Sequence, residues 1–207
     1  MEQNLAILFA DLSGYTALTE THGPETAADL VDDFVAIAGN SLVGGTILHQ
    51  RIGDEVMIVS ESADELMDTA IMLIQNCRKR HGFLQLHGGL HYGTVLKRDN
   101  HYYGSPVNLT SRIAAKASTG TFWCSSEFIR LLSKPEGCTF QSMGTHNFKN
   151  VSGMMEVFEL VIANEDLFHV DPVCRMLLHD RENVTAHPSD SEIFFCSITC
   201  RDIYLNK

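Results

Sequence analysis

LAILFADLSGYTALTET, residues 5–21, carries the strongest structural signal in the chain. It opens with five consecutive apolar residues, a length that is typical of a buried strand and too short for a helix. The run ends near Asp11, and Gly14 separates it from an amphipathic segment that predicts a helix. A carboxylate at the end of a buried strand, followed by a turn into a helix, is well placed to bind a divalent cation and phosphate oxygens. The alternative is that Asp11 only caps the helix.

A second carboxylate of the same kind lies in RIGDEVMIV, residues 51–59. Gly53 and Asp54 separate the apolar run 46–48 from the apolar run 56–59, which predicts a tight hairpin with the carboxylate at its turn. Two carboxylates at strand ends suit a pair of divalent cations. Asp11 and Asp54 are therefore the candidate metal ligands.

Hydrophobic periodicity predicts the remaining elements. Helices are expected over residues 17–21 and 25–39, separated by His22, Gly23 and Pro24, and over residues 63–80, 104–118 and 125–132. Strands are expected over residues 84–96, 121–125, 139–148 and 155–162. This order of strands and helices predicts the α+β class and matches a ferredoxin-like α/β sandwich.

Composition limits the class of protein. The 207 residues carry a formal net charge of −11, and this acidic balance argues against nonspecific binding to nucleic acid. No apolar stretch approaches the roughly 20 residues needed to cross a bilayer, and the N-terminus lacks a basic, signal-like start. We therefore expect a cytoplasmic protein with no membrane segment and no nucleic-acid partner.

Three motifs in order, FADLSGYT, RIGDEVMIV and HYYGSPVNLTSRIAAKA, resemble the catalytic domain of class III nucleotidyl cyclases, the adenylate and guanylate cyclase family. The resemblance covers residues 1–163 and implies the same ferredoxin-like α/β sandwich. It implies conversion of a nucleoside triphosphate to the 3′,5′-cyclic monophosphate and pyrophosphate, a reaction of intracellular signalling. It also implies a head-to-tail homodimer in which each of two sites takes residues from both chains.

The same resemblance implies a role for each matching residue. Asp11 and Asp54 would hold two Mg²⁺ or Mn²⁺ ions, Arg112 would stabilise the transition state, and Asn108 would orient the ribose. Lys149 would contact the triphosphate, although Asn150 stands where the family usually has glycine. The remaining positions implied to contact nucleotide are Leu12, Ser13, Gly14, Tyr15, Thr16 and Gly53. Spacing alone favours the alternative, in which Asn108 caps the helix or lies on its surface and Arg112 pairs with a nearby acid.

The base-reading positions depart from the family pattern. Purine cyclases usually carry a lysine at the position of Gln50 and an Asp or Thr at the position of His101. Both residues present here can still read a base edge by hydrogen bonding. ATP is the expected substrate, and a pyrimidine nucleotide or a weakened base pocket is the alternative. The departure also leaves open a catalytically weak dimer that senses nucleotide or metal.

The C-terminal module, residues 168–207, contains DPVCRM and IFFCSITC, which resemble a YHS domain with Arg175 in place of its usual glycine. Cys174, Cys196 and Cys200 offer three soft ligands for Zn²⁺ or another thiophilic metal. The fourth ligand is expected to be His187, His179 or His169. The alternatives are a reduced, packed module that binds a protein partner, or a metal-handling module dimerised by an inert cyclase scaffold.

Overall fold

A mixed β-sheet organises the first three quarters of the chain. The computed structural model describes residues 1–133, 137–151, 153–163, 168–179 and 184–206. The elements up to Lys116 are β1 (Glu2–Ser13), α1 (Tyr15–Asn40), β2 (Ile47–Ile52), β3 (Glu55–Ser60), α2 (Ala63–Arg78), β4 (Gln85–Arg98), β5 (His101–Tyr103) and α3 (Ser105–Lys116). Those that follow are β6 (Phe122–Ser125), α4 (Ser126–Ile129), β7 (Cys138–Asn147), β8 (Met154–Ile162), β9 (His169–Val170), β10 (Leu177–Leu178), β11 (Thr185–Ala186), β12 (Phe194–Phe195) and α5 (Ile198–Leu205).

The sheet has the strand order β2-β3-β1-β4-β6-β8-β7, and β5 pairs with β4. Its neighbours are antiparallel except β4 and β6, which are parallel and are connected through α3. The α+β class predicted from the sequence is confirmed. The short strand β5, which pairs with β4, was not predicted from the sequence.

Strand β1 lies at the centre of this sheet, with a covered face on each side. Its even-numbered residues from Ala6 to Leu12 belong to the core cluster that includes α1 and α2. Leu5, Ile7 and Phe9 belong to a second cluster that includes Ala114 of α3. Burial on both faces explains why the apolar run at the start of β1 does not alternate with polar residues.

Helix α1 is interrupted where the sequence predicted an interruption. Gly23 has φ 87° and ψ 165°, far from helical values, and Pro24 follows it directly. Because a positive φ is costly for residues with a Cβ, glycine suits this position. The break divides α1 into a short first segment, residues 15–22, and a longer second segment.

The C-terminal module packs on the cyclase-like sheet domain through backbone and apolar contacts. The Leu177 amide donates to the carbonyl of Phe83, and the Leu177 carbonyl accepts from the Gly82 amide, at 2.6 and 2.8 Å. Val173, Cys174, Phe195 and Cys200 belong to the same buried cluster as α1 and α2. The domain boundary predicted at residues 164–167 lies outside the described residues and stays a prediction. Within the described residues, no helix has both the length and the hydropathy needed to span a membrane.

Candidate active site

The structure brings Asp11 and Asp54 together at one end of the sheet. Asp11 lies near the end of β1, opposite Glu55 of β3, and Asp54 lies in the turn that precedes Glu55. Burial and, to a smaller extent, the negative charge of Asp54 together raise the pKa of Asp11 to about 6. The Leu12 amide donates to the Asp11 carboxylate at 3.0 Å and opposes the shift. The two carboxylates are therefore close enough to repel each other.

Glu55 and His87 belong to the same cluster, and the sequence analysis missed both. Burial raises the pKa of Glu55 to about 7, with added repulsion from Asp11 and Asp54. His87 faces Asp11 across the β1–β4 pair, and its Nε2 lies 3.7 Å from Asp11 Oδ2. Because burial lowers the pKa of His87, the contact joins a neutral imidazole to the carboxylate. Strand register places His87 here, and nothing local in the sequence indicates that register.

This donor set fits divalent cations. Carboxylate oxygens are the ligands that Mg²⁺ and Mn²⁺ prefer in proteins. A cation shared by Asp11 and Asp54 would also offset the burial and the charge repulsion that together raise the pKa of Asp11. Asp11 and Asp54 are thus the residues that would hold it.

The turn after β1 presents backbone near these carboxylates. Gly14 caps α1 in the left-handed conformation, with φ 99°. Arg175 of the C-terminal module packs directly on it, since a Cβ at Gly14 would lie 2.6 Å from Arg175 Cβ. Of the other positions predicted to contact nucleotide, Leu12 and Ser13 are buried, Tyr15 is half-buried, and Thr16 and Gly53 are exposed.

Helix α3 presents Asn108 and Arg112 away from its packed face. Leu109 and Ile113 are buried in a cluster with Trp123, whereas Asn108 is exposed and Arg112 is half-buried. Within the described part of the chain, Arg112 makes no hydrogen bond or ion pair. No hydrogen bond or ion pair among the described residues joins this pair to Asp11 or Asp54, so one chain does not connect the two sets.

Lys149 lies exposed in the turn after β7. It follows Phe148, which is buried against the α3 cluster. Asn150 has φ 58°, so the position where the family usually has glycine keeps a left-handed conformation. Asparagine tolerates that conformation better than most residues, which explains the departure.

The predicted base-reading residues lie on neighbouring elements but make no described contact with each other. Gln50 is exposed on β2, and His101 is exposed on β5. The register of β2 against β3 shifts between Leu48 and Gln50, which sets His49 in a bulge. The ring of His49 packs at an angle against that of Tyr102, with centroids 4.6 Å apart. Burial lowers the pKa of His49, and the positive charge of His101 lowers it further. His49 is therefore a missed candidate for this region.

An open cleft of about 260 Å³ adjoins His49. Its lining consists of Ile47, Leu48, His49, Lys97, Asn100 and Tyr102. A larger groove of about 480 Å³ lies near Leu5, at the opposite end of β1 from Asp11. Neither Asp11 nor Asp54 lines either of these two cavities.

The three predicted cysteine ligands come together in the C-terminal module. Cys196 Sγ lies 3.5 Å from both Cys174 Sγ and Cys200 Sγ. The thiol of Cys174 donates to Cys196 and lowers the pKa of Cys196 to about 6. The fourth donor is His22, whose Nε2 lies 3.4 Å from Cys196 Sγ.

The histidines named from the sequence as the fourth ligand lie elsewhere. His169 stacks on Phe194 with ring centroids 4.5 Å apart, and His187 stacks against Phe195 and Tyr204. His179 Nε2 contacts the carbonyl of Arg78. That sequence prediction was wrong, because His22 lies on α1, far from the cysteines in sequence.

Comparison with known proteins agrees with this geometry. The sequence model of the family described as the adenylate and guanylate cyclase catalytic domain matches residues 1–162. The chain belongs to this family. It is 38% identical over 125 residues to an uncharacterized protein of Mycobacterium tuberculosis, covering 60% of this chain and 33% of that one. It is 36% identical over 117 residues to an adenylate cyclase of Glutamicibacter nicotianae, covering 56% of this chain and 29% of that one. This cyclase-family chain thus matches about a third of the length of these curated relatives.

A solved structure shares the cyclase fold. The guanylate cyclase domain from Catenaria anguillulae, in complex with GTP, superposes with a TM-score of 0.64 at 19% identity. The match covers 79% of this chain and 100% of that domain. At this identity the likeness supports the fold alone.

Proposed function

We propose that this chain is a class III nucleotidyl cyclase that forms a 3′,5′-cyclic monophosphate and pyrophosphate from a nucleoside triphosphate. The observation that carries the proposal is the convergence of Asp11 and Asp54 at the end of β1, where repulsion between them favours a bound cation. Because nucleoside triphosphates are intracellular, the proposal places the protein in the cytoplasm, where its product acts in signalling.

In the proposed reaction the ribose 3′-oxygen attacks the α-phosphorus. A bond forms between these two atoms, the bond from the α-phosphorus to the pyrophosphate oxygen breaks, and the proton of the 3′-hydroxyl passes to solvent water. Two Mg²⁺ or Mn²⁺ ions bound by Asp11 and Asp54 would supply activation of the hydroxyl and neutralisation of the triphosphate. Raised pKa values at Asp11 and Glu55 support a site that binds cations more strongly once it is deprotonated.

The chain's own residues would position and stabilise the nucleotide. Arg112 has no partner among the described residues, so its guanidinium is free to contact two phosphate oxygens as charge develops. Asn108, one helical turn away, would orient the ribose. The backbone around residues 12–16, with Gly53 and Lys149, would contact the triphosphate.

Two copies are required in this proposal. The carboxylate pair and the Asn108–Arg112 pair lie on separate elements, and no hydrogen bond or ion pair among the described residues joins the two pairs. A head-to-tail, two-fold dimer would bring the carboxylates of one chain to α3 of its partner, which makes two equivalent sites. A monomer would then lack half of each site.

ATP is the proposed substrate, in keeping with the adenylate cyclase named above. Gln50 and His101 would read the base, and the position of His49 beside Tyr102 adds a third candidate. Since neither of the usual purine-reading residues is present, a pyrimidine triphosphate is the competing outcome of the test.

Product analysis by mass spectrometry tests the proposal. The full chain is incubated with Mn²⁺ or Mg²⁺ and, in separate reactions, with ATP, GTP, CTP and UTP. We expect a cyclic monophosphate from ATP that disappears in Asp54→Asn and persists in Asp29→Asn, which alters an exposed carboxylate of α1. A product from another nucleotide would overturn the base assignment alone.

The altered base-reading positions favour one further candidate, a dimer that binds nucleotide without turning it over. Nucleotide binding measured by calorimetry, with no cyclic product from any of the four triphosphates, would favour this sensing role over catalysis.

A further inference from the structure

Four soft donors from two parts of the chain form a cluster with the dimensions of a metal site. The donor atoms of His22, Cys174, Cys196 and Cys200 all lie within 4.8 Å of one another. Tetrahedral zinc with Zn–S near 2.3 Å and Zn–N near 2.0 Å has S···S edges of about 3.8 Å and S···N edges of about 3.6 Å. The measured S···S separations are 3.5 and 3.5 Å, and the S···N separations are 3.4 and 3.7 Å. Four of the six edges are thus close to those of such a tetrahedron, and the other two do not exceed 4.8 Å.

Hydrogen bonds to the backbone hold the cysteines in place around this cluster. Asp171 is fully buried, and its carboxylate accepts from the amides of Val173, Cys174 and Cys196 at 2.7, 3.1 and 2.7 Å. The Cys200 amide donates to the hydroxyl of Ser197 at 3.2 Å. Outer contacts of this kind fix ligand orientation in metal sites.

The fourth donor connects the module to the candidate active site. His22 ends the first segment of α1, directly before the break at Gly23. At the other end of that segment, Arg175, the neighbour of Cys174, packs on Gly14. The module therefore contacts both ends of residues 14–22, which follow Asp11 and include the turn proposed to bind phosphate.

We propose that one thiophilic metal ion, Zn²⁺ by its chemistry, binds to Cys174, Cys196, Cys200 and His22 and clamps the C-terminal module to the first segment of α1. Oxidation of two neighbouring thiols to a disulfide is the competing use of the cluster, and it would remove the donors that the metal needs. The effect of the clamp on turnover rests on the proposed function, whereas metal binding does not.

Metal binding is tested with Co²⁺ on the full chain, reduced and freed of metal. We expect one Co²⁺ per chain, with the visible absorption of a tetrahedral ion and a thiolate charge-transfer band, both displaced by Zn²⁺. His22→Gln should weaken binding about 100-fold or more, since loss of even an outer-shell partner costs up to that amount. The matched control is His187→Gln, a histidine of the module outside the cluster, which should bind like the wild type.

Two results would overturn the metal site: no tetrahedral Co²⁺ spectrum in the wild type, or a disulfide among the three cysteines that persists under reduction. Equal affinity in His22→Gln and the wild type would overturn the clamp, because the fourth ligand would then come from elsewhere.

Hydrogen exchange tests the clamp without reference to turnover. Metal binding should slow exchange of the peptide covering residues 14–22 by about tenfold or more in the wild type and leave His22→Gln unchanged. Unchanged exchange in the wild type would overturn the clamp. If no nucleotide is cyclised, these readouts still decide the metal site, so the two proposals fail separately.

Discussion

The carboxylate pair and the thiol cluster stand at the two ends of residues 11–22, and they are candidate metal sites of opposite chemistry. Asp11 and Asp54 are half-buried and offer hard oxygen donors. Cys174, Cys200 and their neighbours offer sulfur and imidazole donors inside the core. Hard donors favour Mg²⁺ and Mn²⁺, whereas thiolates favour Zn²⁺. A single chain can therefore bind an exchangeable catalytic cation and a retained structural one without competition between them.

The two sites also differ in what holds their donors before a metal binds. At the carboxylates, burial and then the negative charge of Asp54 raise the pKa of Asp11 to about 6. At the cysteines, the buried Asp171 accepts three backbone amides and orients the ligands. A cation would therefore relieve repulsion at the carboxylates, whereas the cysteines are already positioned for a metal ion.

The largest expected effect is the loss of activity when either the carboxylates or the arginine of α3 is removed. Asp11→Ala and Arg112→Ala should each lower cyclic nucleotide formation by roughly 10²–10³-fold, because each removes a charged group that acts on the phosphates. Mixing the two variants in equal amounts should restore about a quarter of wild-type activity, since half of the dimers would be mixed and each of those would have one intact site. Product is measured by mass spectrometry.

Differently tagged chains, purified as mixed dimers, provide the control for this mixture. If verified mixed dimers stay inactive, the shared site is wrong. Each active site would then have to take both sets of residues from one chain.

The next effect concerns the thiol cluster alone. At a Zn²⁺ concentration about 1,000 times its dissociation constant, wild-type unfolding free energy should rise by about 4 kcal/mol. Cys196→Ser should gain less than about 1 kcal/mol under the same conditions, whereas Cys138→Ser, outside the cluster, should respond like the wild type. Denaturant unfolding in the presence and absence of Zn²⁺ measures both. Equal gains in Cys196→Ser and the wild type would show that the ion binds elsewhere.

Local sequence signals predicted much of this picture. The apolar run before Asp11 and the hairpin around Asp54 are contiguous patterns, and the structure places both carboxylates at one end of the sheet. The interruption at Gly23 was predicted because glycine and proline disrupt a helix wherever they occur in it.

What the sequence did not predict depends on contacts between distant residues. His22 joins three cysteines that follow it by most of the chain length, and His87 reaches Asp11 through strand register. The bulge at His49 shifts the side chain beside Tyr102, and no periodicity marks it. The strand His101–Tyr103 is too short to show alternation. Each of these features is fixed by the assembled sheet.

A smaller effect should appear in the pH dependence of the carboxylate site. In the folded, metal-free protein the pKa of Asp11 is about 6 and that of Glu55 about 7, both above their ordinary values. The folded state therefore binds more protons than the unfolded state between about pH 4 and pH 7. The contribution of Asp11 and Glu55 to the unfolding free energy should therefore fall as pH rises through this window, by at most about 1.4 kcal/mol per pH unit for each group, and the lowered pKa values of His49 and His87 contribute with the opposite sign. Denaturant unfolding at a series of pH values measures the slope.

Asp54→Asn sharpens this test, because it removes the second cause of the Asp11 shift and should flatten the slope. Asp29→Asn should keep the wild-type slope. Equal slopes in Asp54→Asn and the wild type would mean that Asp54 does not raise the pKa of Asp11.

The smallest effect lies at Arg175, where the thiol cluster meets the turn at Gly14. Arg175 has φ 70°, a left-handed conformation that costs a residue with a Cβ roughly 1–2 kcal/mol. Arg175→Gly removes this cost. It also gives the unfolded chain more conformational freedom, which offsets about 0.4–1 kcal/mol of the gain in stability. Arg175→Ala is the matched variant, since it removes the arginine side chain beyond Cβ while keeping the Cβ that makes the left-handed conformation costly. We expect Arg175→Gly to be more stable than Arg175→Ala by about 1 kcal/mol in denaturant unfolding. Equal stability of the two variants would mean that the conformation at this position costs nothing. The departure from glycine in the DPVCRM motif would then need an explanation other than tolerated strain beside the active-site turn.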